Sequence, residues 1–107
     1  MARRGYYAEL LAKKELEKSY GPQNVIKMSI GQSCDFLVLS PNEDKIEKIV
    51  EVKSTSKNKY YPRTNEKNQL KMIDMMSKEH KIAVEVWIKF KNKGVFNVFS
   101  LKDIGVV

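Results

Sequence analysis

Residues 35–54 read Asp35-Phe36-Leu37-Val38-Leu39-Ser40-Pro41-Asn42-Glu43-Asp44-Lys45-Ile46-Glu47-Lys48-Ile49-Val50-Glu51-Val52-Lys53-Ser54. Two apolar runs flank a polar segment of turn-forming residues. This predicts an antiparallel hairpin with strands Asp35–Leu39 and Ile46–Ser54. In the second strand, side chains two apart share a face, so Glu51 and Lys53 point together while Val50 and Val52 point the other way. Asp35 opens the first strand and, with antiparallel pairing, lies near Glu51. Two carboxylates and an amine are thereby brought to one place.

Outward from the hairpin, Arg4 to Tyr20 place Ala8, Leu11, Ala12 and Leu16 at three- and four-residue intervals. That spacing predicts an amphipathic helix, ended by Gly21-Pro22. Val25–Ile30 is a short β-prone stretch, followed by a turn at Gly31-Gln32-Ser33. After the hairpin, residues 56–65 lack either periodicity and read as a loop carrying Lys57, Lys59, Tyr60, Tyr61 and Arg63. Leu70, Ile73 and Met76 mark one side of a second helix over Glu66–Glu79. Ile82–Phe90 alternates as a strand, Asn92-Lys93-Gly94 turns the chain, and Val95–Phe99 closes a second hairpin. The order α-β-β-β-α-β-β implies an α/β fold with a mixed central sheet flanked by helices, because the second helix must carry the chain across the sheet. The 107 residues suit one domain, 1–107.

Composition narrows the function classes. Twenty Lys and Arg against thirteen Asp and Glu give a formal charge of +7, which favours a polyanionic partner, nucleic acid before an anionic membrane surface. No apolar run is long enough for a membrane span, and no signal-peptide core follows the N-terminal Met-Ala-Arg-Arg-Gly, so a cytoplasmic location is expected. The single cysteine, Cys34, excludes an intrachain disulfide and a thiolate-rich zinc site, and the single histidine, His80, excludes a multi-histidine metal site.

Paired carboxylates repel and invite a hard divalent cation. Oxygen donors of this kind suit Mg²⁺, with Mn²⁺ able to substitute. A cation held by Asp35 and Glu51 would polarise a phosphate and acidify a water, and Lys53 would position that water or offset developing charge. Phosphodiester hydrolysis is the reaction implied. Glu9 borders the packed stripe of the first helix and adds a third acid, although Lys13, four residues on, offers it a plain ion pair. Taken singly, Glu51 and Lys53 also fit an exposed strand face, and Asp35 a turn. Met72, Met75 and Met76 fit core or subunit-interface filling better than a ligand set.

The joint pattern resembles the PD-(D/E)XK nucleases: a helical glutamate, then Asp35 at a strand start, then Glu51-Val52-Lys53 on the next strand. More narrowly, Arg3-Arg4-Gly5 with Ala8-Glu9, Ser29-Ile30-Gly31 ahead of Asp35-Phe36-Leu37-Val38, and Val50-Glu51-Val52-Lys53-Ser54-Thr55 are similar to archaeal Holliday-junction resolvases, over residues 3–55. Cys34 stands where the superfamily's name has proline. The resemblance implies a restriction-endonuclease-like core. It makes Glu9, Asp35 and Glu51 the metal-site acids, with the Val52 backbone carbonyl as a further ligand, and Lys53 the catalytic amine. Ser29 or Ser33 would be the active-site serine and Gln69 a further catalytic residue. It also implies a Mg²⁺-dependent hydrolase of four-way junctions in DNA recombination and repair, acting as a homodimer whose two-fold axis matches the junction. Trp87, Phe90, Phe96 and Phe99 could close the dimer or pack the core. Arg3, Arg4, Lys57, Lys59, Tyr60, Arg63 and Lys67 would contact DNA, with Tyr60-Tyr61 stacking on unpaired bases. Two rivals stay open: a repair or host-defence nuclease acting on duplex or flap DNA, and a non-catalytic nucleic-acid-binding protein of the same fold.

Overall fold

The computed structural model describes residues 4–28, 35–43, 45–91 and 95–105, with side chains from Tyr7 onward. Helix α1 spans Arg4–Tyr20, as its apolar spacing predicts, and strand β1 spans Val25–Lys27 after a short 3₁₀ turn at Pro22–Asn24. Strands β2 (Phe36–Leu39) and β3 (Ile46–Thr55) form the expected antiparallel hairpin, with Phe36 opposite Val50 and Leu37 opposite Ile49. Helix α2 (Thr64–His80) leads to β4 (Ala83–Phe90) and β5 (Asn97–Phe99). The sheet order is β1-β2-β3-β4-β5, with β3 and β4 parallel and the other pairs antiparallel. This is the mixed α/β sheet that the element order implies.

Alternation along β3 divides the core between the two faces of the sheet. Val50 and Val52 pack with Phe36, Val38 and the α1 residues Ala8, Ala12 and Leu16. On the other face Ile49 packs with Leu70 and Ile73 of α2 and with Val86 and Ile88 of β4. A strand covered on both sides needs apolar residues at nearly every position, which is why Ile49-Val50-Glu51-Val52 is fully buried and why Glu51 is the exception within it. The four C-terminal aromatics take the core reading within this chain: Trp87 and Phe96 lie against the α1-side cluster, Phe90 and Phe99 against the α2-side cluster.

Several boundaries move. Strand β1 stops at Lys27, although the Met28 N–H still donates to the Asp35 carbonyl at 2.9 Å. Helix α2 begins at Thr64, two residues before Glu66, because Glu66 folds back as a cap and accepts the Arg63 N–H at 3.0 Å. Its far end closes with Lys81 in the left-handed region (φ 56°) and the Ile82 N–H donating to the Ser77 carbonyl at 3.0 Å. Only Met76 of the three methionines joins the core, since Met72 and Met75 stand 59% and 64% exposed on α2. Among the described residues, no helix is long and apolar enough to cross a membrane.

Lys81 has the geometry for which glycine is suited, and a side chain there costs about 1 kcal/mol. Lys81→Gly is expected to raise the unfolding free energy by about 0.5–1 kcal/mol in urea denaturation, with an unchanged slope. A loss of stability would mean that the Lys81 side chain makes a stabilising contact.

Candidate active site

The hairpin register brings Asp35 beside Glu51. The Val52 N–H donates to Asp35 Oδ2 at 2.7 Å, so the carboxylate is anchored across the strand pair to the residue next to Glu51. Lys53 Nζ lies 3.1 Å from Glu51 Oε2. It also donates to Gln69 Oε1 at 3.0 Å and stands 3.8 Å from Glu66 Oε2, both on α2. The amine is thus enclosed by one acid of its own strand and two polar side chains of the crossover helix. Glu51 is only 2% exposed, and among the described residues its Oε1 has no hydrogen-bond partner.

Glu9 approaches from α1. Its carboxylate lies 3.5 Å from Lys27 Nζ on β1, while Lys13 pairs with Glu17 at 3.7 Å. The plain Glu9–Lys13 pair therefore does not form. One helical turn is open to Lys13 from either side, and the neighbouring strand supplies Glu9 with a different cation. The acids are linked in series, Glu9 to Asp35 and Asp35 to Glu51. Among the described residues, no three His, Cys, Asp or Glu side chains form a ready-made metal cage.

Burial pushes all three acids above their ordinary values, and a neighbouring carboxylate adds to it for Glu9 and Asp35. For Glu9, burial is followed by the hydrogen bond to Asp35 and its charge, with Lys27 opposing. For Asp35, burial is followed by the Glu51 charge, and the Val52 N–H opposes. For Glu51, burial outweighs the attraction of Lys53 and a bond from Asp35. Glu66 behaves oppositely: burial pulls it up, but the Arg63 N–H, the Tyr60 hydroxyl and the Lys53 charge hold it below the ordinary range.

The basic loop adds two depressions beside this cluster. The nearer, about 490 Å³, is lined by Ser54, Thr55, Ser56, Lys57, Arg63 and Glu66 among others. The larger, about 870 Å³, lies on the other side of Tyr60 and Tyr61 and takes in Lys59 and Lys67. Neither contains the three acids, so the cavities flank the acid cluster rather than enclose it. Arg3, Ser29 and Ser33 lie outside the described residues, as does the Arg4 side chain at the start of α1. Sequence reasoning missed Glu66. Its signal was its place as the third residue of a helix that begins at Thr64, where an acid caps the helix and can face whatever precedes it.

No protein-family model matches the chain, and no curated protein matches it. Among solved structures, it superposes on Hjc of Archaeoglobus fulgidus, a Holliday junction resolvase from an archaeal hyperthermophile. The TM-score is 0.67 at 19% identity, over 94% of this chain and 75% of that one. The fold is that of an archaeal Holliday junction resolvase. The resemblance of residues 3–55 to such resolvases therefore extends, as fold alone, through α2, β4 and β5.

The raised acids make stability depend on pH. The folded protein holds these protons more tightly than the unfolded chain, so stability falls as pH rises from the ordinary carboxylate range through the raised folded values. Glu66 acts below that window, where its contribution is lost as pH falls through its lowered folded value. In EDTA the melting temperature is expected to be highest on the acid side of neutrality. Asp35→Asn should raise it at neutral pH by a few degrees, corresponding to about 1 kcal/mol. A neutral-pH melting temperature lowered by Asp35→Asn would mean that the acids are not in mutual repulsion.

Proposed function

We propose that the chain is a Mg²⁺-dependent, structure-selective DNA endonuclease that hydrolyses phosphodiesters at four-way junctions, acting in the cytoplasm as a homodimer. The observation that carries this reading is Glu51: a buried carboxylate with one oxygen paired to Lys53 and the other without a hydrogen-bond partner among the described residues, coupled to Asp35. Evolution has little reason to keep such a charge in a sheet interior for stability alone. The resolvase fold supports the choice of chemistry.

The donor set fits a hard divalent cation. Asp35, Glu51 and Glu9, with the Val52 carbonyl as a further oxygen, would hold Mg²⁺, or Mn²⁺ in its place, and Glu51 Oε1 supplies an acceptor that no donor among the described residues uses. When bound, the cation acidifies a water and offsets phosphate charge. The residues themselves do the rest. Gln69 and Glu51 hold the Lys53 amine in place, and that amine offsets the charge that builds on the phosphate oxygens during attack. The Asp35–Val52 bond fixes the first acid against the second strand.

Lys57 and Arg63, beside the Ser54-Thr55-Ser56 hydroxyls, suit contacts to the DNA backbone, and Arg3 and Arg4 precede Glu9 in the sequence. Such contacts position a substrate without reading its sequence, so selectivity must come from shape. Two copies related by a two-fold axis present two cutting centres to a junction that has the same symmetry.

In Mg²⁺, junction cleavage is expected to fall at least about 100-fold in Asp35→Asn, Glu51→Gln and Lys53→Ala, with circular dichroism unchanged. In Ca²⁺, the protein should bind a junction far more tightly than a duplex of the same sequence and have the solution mass of a dimer. Wild-type cutting rates in the acid variants would overturn the catalytic assignment. Equal affinity for the two DNAs with a monomeric mass would redirect the reading to duplex or flap DNA.

A further inference from the structure

Tyr60 and Tyr61 form the wall between the two depressions, and the depressions differ in chemistry. The smaller is hydroxyl-rich and basic. The larger has aromatic walls: Phe90 and Phe99 meet edge to face with centroids 6.4 Å apart, opposite Tyr60 and the 66%-exposed Tyr61. Three lysines, Lys59, Lys67 and Lys91, line it, and none of them takes part in an ion pair among the described residues. Among its described lining residues the one acid, Asp103, is already committed to the turn, accepting the Ser100 N–H at 3.0 Å. Asn58 and Asn97 add amide groups that can both donate and accept.

An exposed aromatic ring, amides able to read a polar edge and unpaired cations at the margin are what a nucleotide requires: a face to stack on, partners for its base edge and charge for its phosphate. The volume of about 870 Å³ is within the range of small-ligand sites. It is too small for a duplex, whose bases are in any case turned inward. The groove also communicates with the acid cluster. The Tyr60 hydroxyl donates to Glu66 Oε2 at 2.8 Å, and the same oxygen stands 3.8 Å from Lys53 Nζ. A base seated against Tyr60 would therefore lie two side chains from the amine.

We propose that the groove between the 56–63 loop, β4–β5 and the C-terminal turn is a binding site for an unpaired nucleotide of the DNA. The proposal rests on the nuclease reading for its biological setting, since a branch point is where duplex DNA exposes an unstacked base. The groove itself needs neither the cation nor cleavage. Stacking on Tyr61 supplies affinity that does not depend on which base is present, because every base has an aromatic face.

The test uses a short single-stranded oligonucleotide carrying one fluorescent 2-aminopurine, titrated with the full chain in EDTA at low salt. The same label is then placed at the branch point or in an arm of a four-way junction in Ca²⁺. Stacking is expected to quench the oligonucleotide and the branch-point label but not the arm label. Tyr61→Ala should weaken oligonucleotide binding by roughly 5- to 100-fold, and Tyr61→Phe should restore it. Lys91→Ala should weaken binding, whereas Lys18→Ala, which removes the same charge from α1, should leave it unchanged. Absence of quenching in the oligonucleotide, or full binding by Tyr61→Ala, would overturn the proposal. Quenching without cleavage of any DNA would remove the nuclease reading and leave the groove. Cleavage with no quenching would do the reverse.

Discussion

Glu51 stands where β3 requires an apolar side chain. Its neighbours Ile49, Val50 and Val52 are all buried, and the sheet face it occupies is covered by α2. A carboxylate taken out of water is tolerated only if other groups meet its charge. Most of the local architecture can be read as that compensation. Lys53 follows two residues later on the same face. Because β3 and β4 are parallel, the chain must cross over the sheet between them, and the crossover helix brings Gln69 and Glu66 to the far side of the lysine. The compensation is incomplete, since one Glu51 oxygen keeps no hydrogen-bond partner among the described residues and Asp35 brings a second negative charge. The site is therefore strained electrostatically in a direction that a cation relieves.

This strain sets stability against use. Three acids with raised pKa values are costly to a small domain, whose margin is only a few kcal/mol, and a sequence selected for stability alone would replace them. The apolar framework is arranged to bear the cost. Small residues Ala8 and Ala12 let α1 approach Val50 and Val52 closely, which also carries Glu9 to the edge where Asp35 begins β2. Packing on one face of the sheet thus brings a third acid to the Asp35–Glu51 pair.

Much of this was legible in the sequence, for physical reasons that also explain the failures. Period-two alternation and the polar turn predicted the β2–β3 hairpin and set Glu51 and Lys53 on one face, with Asp35 able to lie near them, whereas the register shift between Val38 and Leu39 left no mark in the pattern. Period-3.6 spacing and Gly21-Pro22 fixed both ends of α1. Errors arose where a side chain, rather than periodicity, decides. The start of α2 is set by the Glu66 cap, and the partner of Glu9 is a lysine eighteen residues away on β1. Ser29 and Ser33 fall outside the described residues and stay as the resemblance left them. Of the larger groove only the Lys59, Tyr60, Tyr61 and Lys67 side was legible, because the groove joins segments from three parts of the chain that no local pattern connects.

The fold also sorts the lysines, which composition alone cannot do. Lys27, Lys48 and Lys53 are tied to Glu9, Glu85 and Glu51, and Lys48 is further held over the Tyr20 ring at 4.8 Å. Such residues serve the structure, and their charge is largely met from within. Lys57, Lys59, Lys67 and Lys91 enter no ion pair among the described residues and border the two depressions beside Tyr60 and Tyr61. Uncompensated charge is what attracts a polyanion and releases its counterions, so the net +7 understates how polarised the molecule is. Arg63 and Lys67 bracket the start of α2, the helix whose Glu66 and Gln69 face the Lys53 amine. These charges and the Lys53 amine thereby meet at the same structural element, the crossover that the parallel β3–β4 pair makes necessary.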